Sequence, residues 1–258
     1  MTVQEIIDGA QGLTCCIPKG LFGAARVFLL NQILSGNGSN QGVSLLANLY
    51  DHWSFDGTMS GVNGHVFSNA STVYGVGHTT PQALELDGTA NTVARALDTI
   101  PDLQTGQYYV CGIAWTNFDS VAAASGIVSK RNTSNSAGYT IELNGARYRL
   151  VVGGNVFTEA TVFVAGDWHM VSFNIIADGA QTAFVGFDDG TVNASGVPAV
   201  NATNLVNPLT IGQRANLVGA IMDGRINGLT IWQNRTLSLA DIAYLYNGGA
   251  GRRYPFFI

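Results

Sequence analysis

Charge is what this sequence has least of. Asp, Glu, Lys and Arg make up 11% of its 258 residues, under half the ~25% of an ordinary soluble domain. The surface must then be built largely from Asn, Ser, Thr, Gln, Gly and apolar groups, which suits a chain that stays packed against neighbours. The net charge is −5, and Lys130–Arg131 and Arg252–Arg253 are isolated basic pairs. Both facts argue against a nucleic-acid footprint. No stretch approaches ~20 uninterrupted apolar residues, so no helical membrane span is expected. Cysteine is scarce as well, with only Cys15, Cys16 and Cys111. Adjacent cysteines bridge each other only with strain, and an odd count leaves a thiol over, so reduced, buried thiols are expected rather than a disulfide framework. The opening MTVQEIIDGAQG has two early acids and neither a basic start nor an apolar core, and no export signal is expected from it.

What is present is a succession of short apolar strands separated by turn residues. The Gly/Ser/Asn-rich stretch Ser35–Ser44 marks a flexible connection, dividing an N-terminal arm (residues 1–44) from a larger unit (45–258). The arm carries an apolar segment, Ala25–Leu34, and reads as an anchoring or assembly element. Beyond it, Gln107–Thr116 reads as an apolar strand. Gly138–Leu143 and Arg147–Val152 flank Asn144-Gly145, a hairpin signal for a turn with both central residues at positive φ. In Trp168–Ile176, the alternation of Val171, Phe173 and Ile175 puts those three on one face. Asp189-Gly190 signals a second hairpin, and Pro208–Gln213 a further strand. Internal proline is scarce, as central strands require. The pattern predicts an all-β fold of two antiparallel sheets packed face to face.

The C-terminal run GRINGLTIWQNRTLSLADIAYLYNGG, Gly224–Gly249, allows a finer reading. Ile226, Leu229 and Ile231 share a face only if one residue is extra, which predicts a bulge at Asn227-Gly228. Ser238 and Asp241 have capping-box spacing, and Leu237 and Ile242 that of a hydrophobic staple. Ile242, Leu245 and Tyr246 form an apolar stripe, and Gly248 or Gly249 offers the stop. A strand, a turn and a two-turn helix that covers the sandwich are expected.

This run resembles the closing motif of laminin-G-like, concanavalin A-like jelly-roll domains. Other pieces follow in family order: LLANLYDHWSFDG (Leu45–Gly57), ALELDGTANTV (Ala83–Val93), GIVSKRN (Gly126–Asn132), GDWHMVSF (Gly166–Phe173, similar to a Trp-His-x-Val signature) and VGFDDGTV (Val185–Val192). The resemblance spans about residues 45–258 and leaves the arm outside. It implies an antiparallel jelly-roll sandwich with a short C-terminal helix. Such domains occur in secreted adhesive and glycan-binding proteins and in bacteriophage structural proteins. Joined to the low charge and the expected lack of an export signal, it implies a non-enzymatic virion surface protein of head-decoration or fibre type. The arm would contact other capsid or tail proteins, and the chain would self-associate. A tail or baseplate accessory, or a glycan-binding lectin-like module for a host surface, is the alternative.

Catalytic patterns are sparse. Glycosidases on this sandwich place paired carboxylates on one strand, and no Glu-x-Asp-x-x-Glu triplet occurs; Asp188-Asp189 falls in an expected turn. His52, His65, His78 and His169 stand in no Gly-x-Ser-x-Gly, His-Glu-x-x-His or Cys-x-x-Cys context. The expectation is no enzyme activity and no cofactor, with calcium as the one ion such loops take up. Asp56, Asp87 and Asp223, at expected strand ends, are its candidate ligands. Trp53, Tyr74, Trp115 and Trp232 are the candidate glycan-stacking aromatics, with burial in the core as the competing fate.

Overall fold

The computed structural model describes residues 44–69, 71–90, 94–96, 109–121, 124–131, 138–152, 155–159, 161–162, 164–176, 182–188, 191–196, 208–214 and 220–256. Residues 1–43, on which the expected anchoring role falls, lie outside this set, as do Asp189 and Gly190.

The described strands are β1 (Leu49–Trp53), β2 (Phe67–Ser68), β3 (Val73–Val76), β4 (Gln82–Asp87), β5 (Ala94–Ala96), β6 (Tyr109–Phe118), β7 (Ser125–Arg131), β8 (Gly138–Leu143), β9 (Tyr148–Val152), β10 (Asn155–Thr158), β11 (Trp168–Ile176), β12 (Thr182–Phe187), β13 (Thr191–Gly196), β14 (Leu209–Ile211) and β15 (Asp223–Gln233). The helix α1 (Leu239–Tyr246) follows, continued by a short 3-10 turn at Asn247–Gly249, and residues 44–46 before β1 are helical too. Among the described residues no helix is long and apolar enough to cross a membrane.

Two antiparallel sheets form the sandwich. The eight-stranded sheet runs β13-β12-β11-β6-β15-β4-β3, with β1 also on β15; the seven-stranded sheet runs β10-β9-β8-β7-β14-β5-β2. Strand alternation decides what lies between them. Val171, Phe173 and Ile175 of β11 face inward together, meeting Tyr139, Ile141, Leu150 and Val152 of the other sheet in one buried cluster. Thr116 on β6 and Tyr148 on β9 join their hydroxyls across the layer at 2.6 Å.

β15 organises the eight-stranded sheet. Its first half pairs with β4 and its second half with β1, both on one edge. The register against β6 breaks between Asn227 and Thr230, and Gly228 takes φ 64°, so the expected bulge is present. It presents Asn227 to the gap between β1 and β4. There Asn227 Oδ1 accepts from Thr79 N (2.8 Å) and Thr79 Oγ1 (2.7 Å). Its Nδ2 donates to Ser54 O (2.7 Å), Thr80 Oγ1 (2.8 Å) and Gln82 O (2.9 Å). A buried amide thus ties three segments together, leaving none of its hydrogen-bonding capacity to be desolvated without compensation.

The helix is built as its sequence implies. Ser238 Oγ accepts from Asp241 N at 3.1 Å and Asp241 Oδ2 accepts from Ser238 N at 2.9 Å, the reciprocal capping box. Leu237 and Ile242 are both buried. The stop falls one residue earlier than expected: Asn247, at φ 52°, takes the left-handed position and its N–H bonds Ala243 O. Asn is the non-glycine residue best suited to that conformation. Arg252 donates to Tyr244 O at 2.9 Å and lies 4.0 Å over the Tyr244 ring, placing a cation at the negative helix end.

The first hairpin also departs from expectation. β8 and β9 pair Leu143 with Tyr148, so residues 144–147 form the loop and Gly145 alone takes positive φ (58°). Arg147 N donates to Gly145 O at 2.8 Å and Asn144 N to Arg147 O at 2.9 Å. These local bonds satisfy a longer loop than Asn-Gly would need. At the second hairpin Phe187 pairs with Thr191, and Asp188 carries the positive φ (48°).

Candidate functional site

The outer face of the eight-stranded sheet is divided. Over one part lie Leu45, Leu46, Leu237, Ile242, Leu245 and Phe256, packed on Cys111, Ile113, Trp115, Met170 and Trp232. Polar side chains on the sheet fasten this roof. Asn174 Nδ2 donates to Leu237 O (2.8 Å) and Asn174 Oδ1 accepts from Leu237 N (2.9 Å). Trp232 Nε1 donates to Leu45 O at 2.6 Å. His52 meets Thr230 Oγ1 at 2.8 Å and stacks on Tyr254; burial lowers its pKa to about 3, so it is neutral under ordinary conditions. Burial likewise pushes the Cys111 thiol well above its usual range, which removes thiolate reactivity.

The rest of that face is not roofed by the described residues, and Trp168 at its border packs partly against the roof cluster. Trp168 on β11 pairs with Asn117 on β6, Asn117 with Arg225 on β15, Arg225 with Glu85 on β4, and Glu85 with Val73 on β3. Their sheet neighbours Phe118, Ile226, Leu84 and Leu86 face the inter-sheet core, so this row lies outside. Five strands at ~4.8 Å spacing make it about 19 Å long. Arg225 is 28% exposed, Glu85 34% and Asp119 47%. The guanidinium is loosely held: Nε is 3.4 Å from Glu85 and a terminal nitrogen 4.0 Å from Asp119, against ~2.7–2.9 Å for a tight charge-assisted pair. On the roofed side, His78 borders the row. It sits 4.1 Å from the Trp115 ring and 5.6 Å from Trp168, and its Nε2 donates to Gly249 O at 2.8 Å. Burial lowers the His78 pKa, opposed by that carbonyl and by Asp188.

The candidate residues of the sequence fall differently from expectation. Trp53, Trp115 and Trp232 are at most 1% exposed, so none offers a ring to a sugar. Trp53 lies in the inter-sheet core, donating Nε1 to His65 O at 2.8 Å; the other two lie under the roof. Tyr74 is half-buried on β3, where it pairs with Leu84. Of the calcium candidates, Asp87 and Asp223 are direct register partners at the end of the row. Asp56 instead accepts from Gln82 N at 3.0 Å, at the other end of β4, about 17 Å from Asp87 by strand rise. The three carboxylates therefore do not converge. Among the described residues no group of three or more His, Cys, Asp or Glu is placed to hold a metal ion.

Two carboxylate–histidine pairs serve the backbone. Asp51 accepts from His52 N (2.7 Å), Asn63 N (2.9 Å), His65 N (3.1 Å) and His65 Nδ1 (2.8 Å). A Cβ at Gly61 would stand 2.2 Å from this carboxylate, which is why the loop passes there on glycine. Asp188 accepts from Met170 N (2.9 Å) and meets His169 Nδ1 at 3.0 Å.

Sequence reasoning did not pick out Trp168, Arg225 and Glu85. Trp168 stood inside the Trp-His-x-Val signature and Arg225 inside the closing motif. Nothing in one chain's spacing says that strands distant in sequence share a register.

No protein-family model matches the chain, and no curated protein matches it. Solved structures do. The receptor-binding domain of botulinum neurotoxin type G superposes with a TM-score of 0.55 at 12% identity, over 78% of this chain and 51% of that one. Domain 4 of AbnA, an extracellular arabinanase from Geobacillus stearothermophilus solved in complex with arabinotriose, gives 0.54 at 15% identity, over 76% and 97%. The binding domain of botulinum neurotoxin DC, in complex with rat synaptotagmin II, gives 0.56 at 11% identity, over 78% and 51%. The likeness is one of fold. This chain spans about half the length of the toxin domains and nearly all of the arabinanase domain. The chain shares the two-sheet β-sandwich architecture of these domains.

Proposed function

We propose that this chain is a non-catalytic binding module that recognises carbohydrate, displayed as a surface protein of a bacteriophage particle. The observation that carries the binding reading is the open row on the eight-stranded sheet, where a half-buried indole, a loosely paired guanidinium and carboxylates share one face. Carbohydrate sites take this mixture, an aromatic plane with polar groups beside it to fix hydroxyl orientation. The fold supports the reading, since a domain of this architecture was solved with arabinotriose. The particle reading rests on the family resemblance and on the 11% charge content, which favours a chain held among neighbours. Residues 1–44 are its anchor in this reading and the chain self-associates; no cofactor is needed for binding, calcium included.

A glycan array probed with the intact chain, with and without a chelator, tests the module. Binding that survives the chelator is expected; absence of any glycan ligand overturns it. Mass spectrometry of purified particles tests the second half. High copy number indicates head decoration, a few copies a tail or baseplate position, and absence from particles removes the virion role.

A further inference from the structure

We propose that the outer-face row of Trp168, Arg225 and Glu85 is the ligand site, and that it takes an uncharged oligosaccharide. The inference rests on the carbohydrate-module reading and adds the site and the ligand class. Three observations lead to it.

The row is continuous. Cross-strand pairing places Trp168, Asn117, Arg225 and Glu85 side by side on four adjacent strands. Asn117 is 4% exposed and its Nδ2 donates to Gly166 O at 2.6 Å. The buried amide thus holds the loop beside Trp168 and leaves the indole and the guanidinium as the accessible groups. His78, backed by Trp115, bounds the row on the roofed side.

The backbone is shaped to keep Glu85 in place. A Cβ at Gly75 would lie 1.9 Å from Glu85 Oε2 and 3.1 Å from Arg225 Nε. The carboxylate therefore lies over Gly75 on β3, where any larger residue would displace it. Its 3.4 Å separation from Arg225 Nε leaves that buried nitrogen without a hydrogen bond among the described residues, so the part-exposed end of the guanidinium and the carboxylate are the donor and acceptor that stand side by side. Adjacent hydroxyls of a sugar ring match that pair: one donates to Glu85 while another accepts from Arg225.

The surrounding charge selects against acidic sugars. Asp87, Asp119, Asp167 and Asp223 are exposed around the row, and Asp223 stands opposite Asp87. With Glu85 they are five carboxylates to one guanidinium, Glu85 at 3.4 Å and Asp119 at 4.0 Å from Arg225. A sialic acid or uronate would meet net repulsion, whereas a neutral ring meets acceptors for its hydroxyls.

The test uses the intact chain with immobilised neutral arabino-, xylo-, gluco-, manno- and galacto-oligosaccharides, and with sialylated and uronate-containing glycans. Binding to a neutral oligosaccharide is expected. Trp168→Ala and Arg225→Gln are each expected to weaken it about tenfold or more, whereas Leu239→Ser, on the exposed helix surface, leaves it unchanged. Melting curves check folding; should Trp168→Ala fail to fold, Arg225→Gln and Glu85→Gln carry the test. Neutral-glycan binding that ignores these substitutions overturns the site while the module reading stands. Binding confined to sialylated or uronate glycans overturns the ligand class. Binding to no glycan overturns the module reading and the inference with it.

Discussion

The two parts of one sheet face contrast in how they treat polar groups. Under the roof the strand positions are buried, with Trp115 Nε1 and Ser172 Oγ left without a hydrogen-bond partner among the described residues. His52, Asn174 and Trp232 are buried and each directs its polar atoms to a partner fixed by the fold. Farther along β15 and on the neighbouring β4, Arg225 and Glu85 remain partly exposed, and their separation exceeds that of a tight ion pair. The first arrangement stabilises the domain and leaves nothing for a ligand. The second contributes little to stability and leaves polar capacity free, which is the condition for binding. Burial, rather than residue type, separates structure from recognition here: Trp232 is fully buried and Trp168 half-buried, and both are indoles on this face.

Substitutions should reproduce that contrast. Asn227→Ala strikes the join between the two parts. It strips buried partners from Thr79, Ser54 and Gln82, and a loss of about 4 kcal/mol in denaturant unfolding is expected. A loss within experimental error would show that water replaces the amide without penalty.

His52 supplies the next effect. Its folded-state pKa is lowered from 6.5 to about 3, so below pH 6.5 the unfolded chain takes a proton that the folded chain refuses. Stability from this group is therefore constant above that pH and falls as pH drops toward about 3, by about 1 kcal/mol per pH unit. His52→Gln should flatten this part of the stability–pH curve relative to wild type. Parallel curves would count against a buried neutral imidazole.

Ser238→Ala removes the helix cap and should lower stability by roughly 0.5–1 kcal/mol, read as a shift in the unfolding midpoint. In the open part, Arg225→Gln should change stability by less than about 0.5 kcal/mol, because a loose, partly exposed pair contributes little. A large destabilisation there would reclassify the row as structure and erase the contrast.

The C-terminal motif shows how much was legible in advance. Capping box, staple and bulge are local devices whose partners stand within a few residues, so spacing suffices to place them. The hairpin at Asn144-Gly145 was legible as a hairpin but not in loop length, since Arg147 and Gly145 bond locally in a way the dipeptide does not specify. Trp53, Trp115 and Trp232 lie in the core rather than on a binding surface for a different reason. Indole size favours both core and binding surfaces, and only exposure distinguishes Trp115 from Trp168.

The sequence by itself determined the all-β class, most strand positions, the closing helix and its start, because each follows from alternation or from contacts a few residues apart. Tertiary structure alone decided which face of the eight-stranded sheet stays open. It also decided that Asp56 stands apart from Asp87 and Asp223, and that Trp168, Arg225 and Glu85 form one row. Those outcomes depend on strand order and register across residues distant in the chain, and on what the helix and C-terminal segment happen to cover.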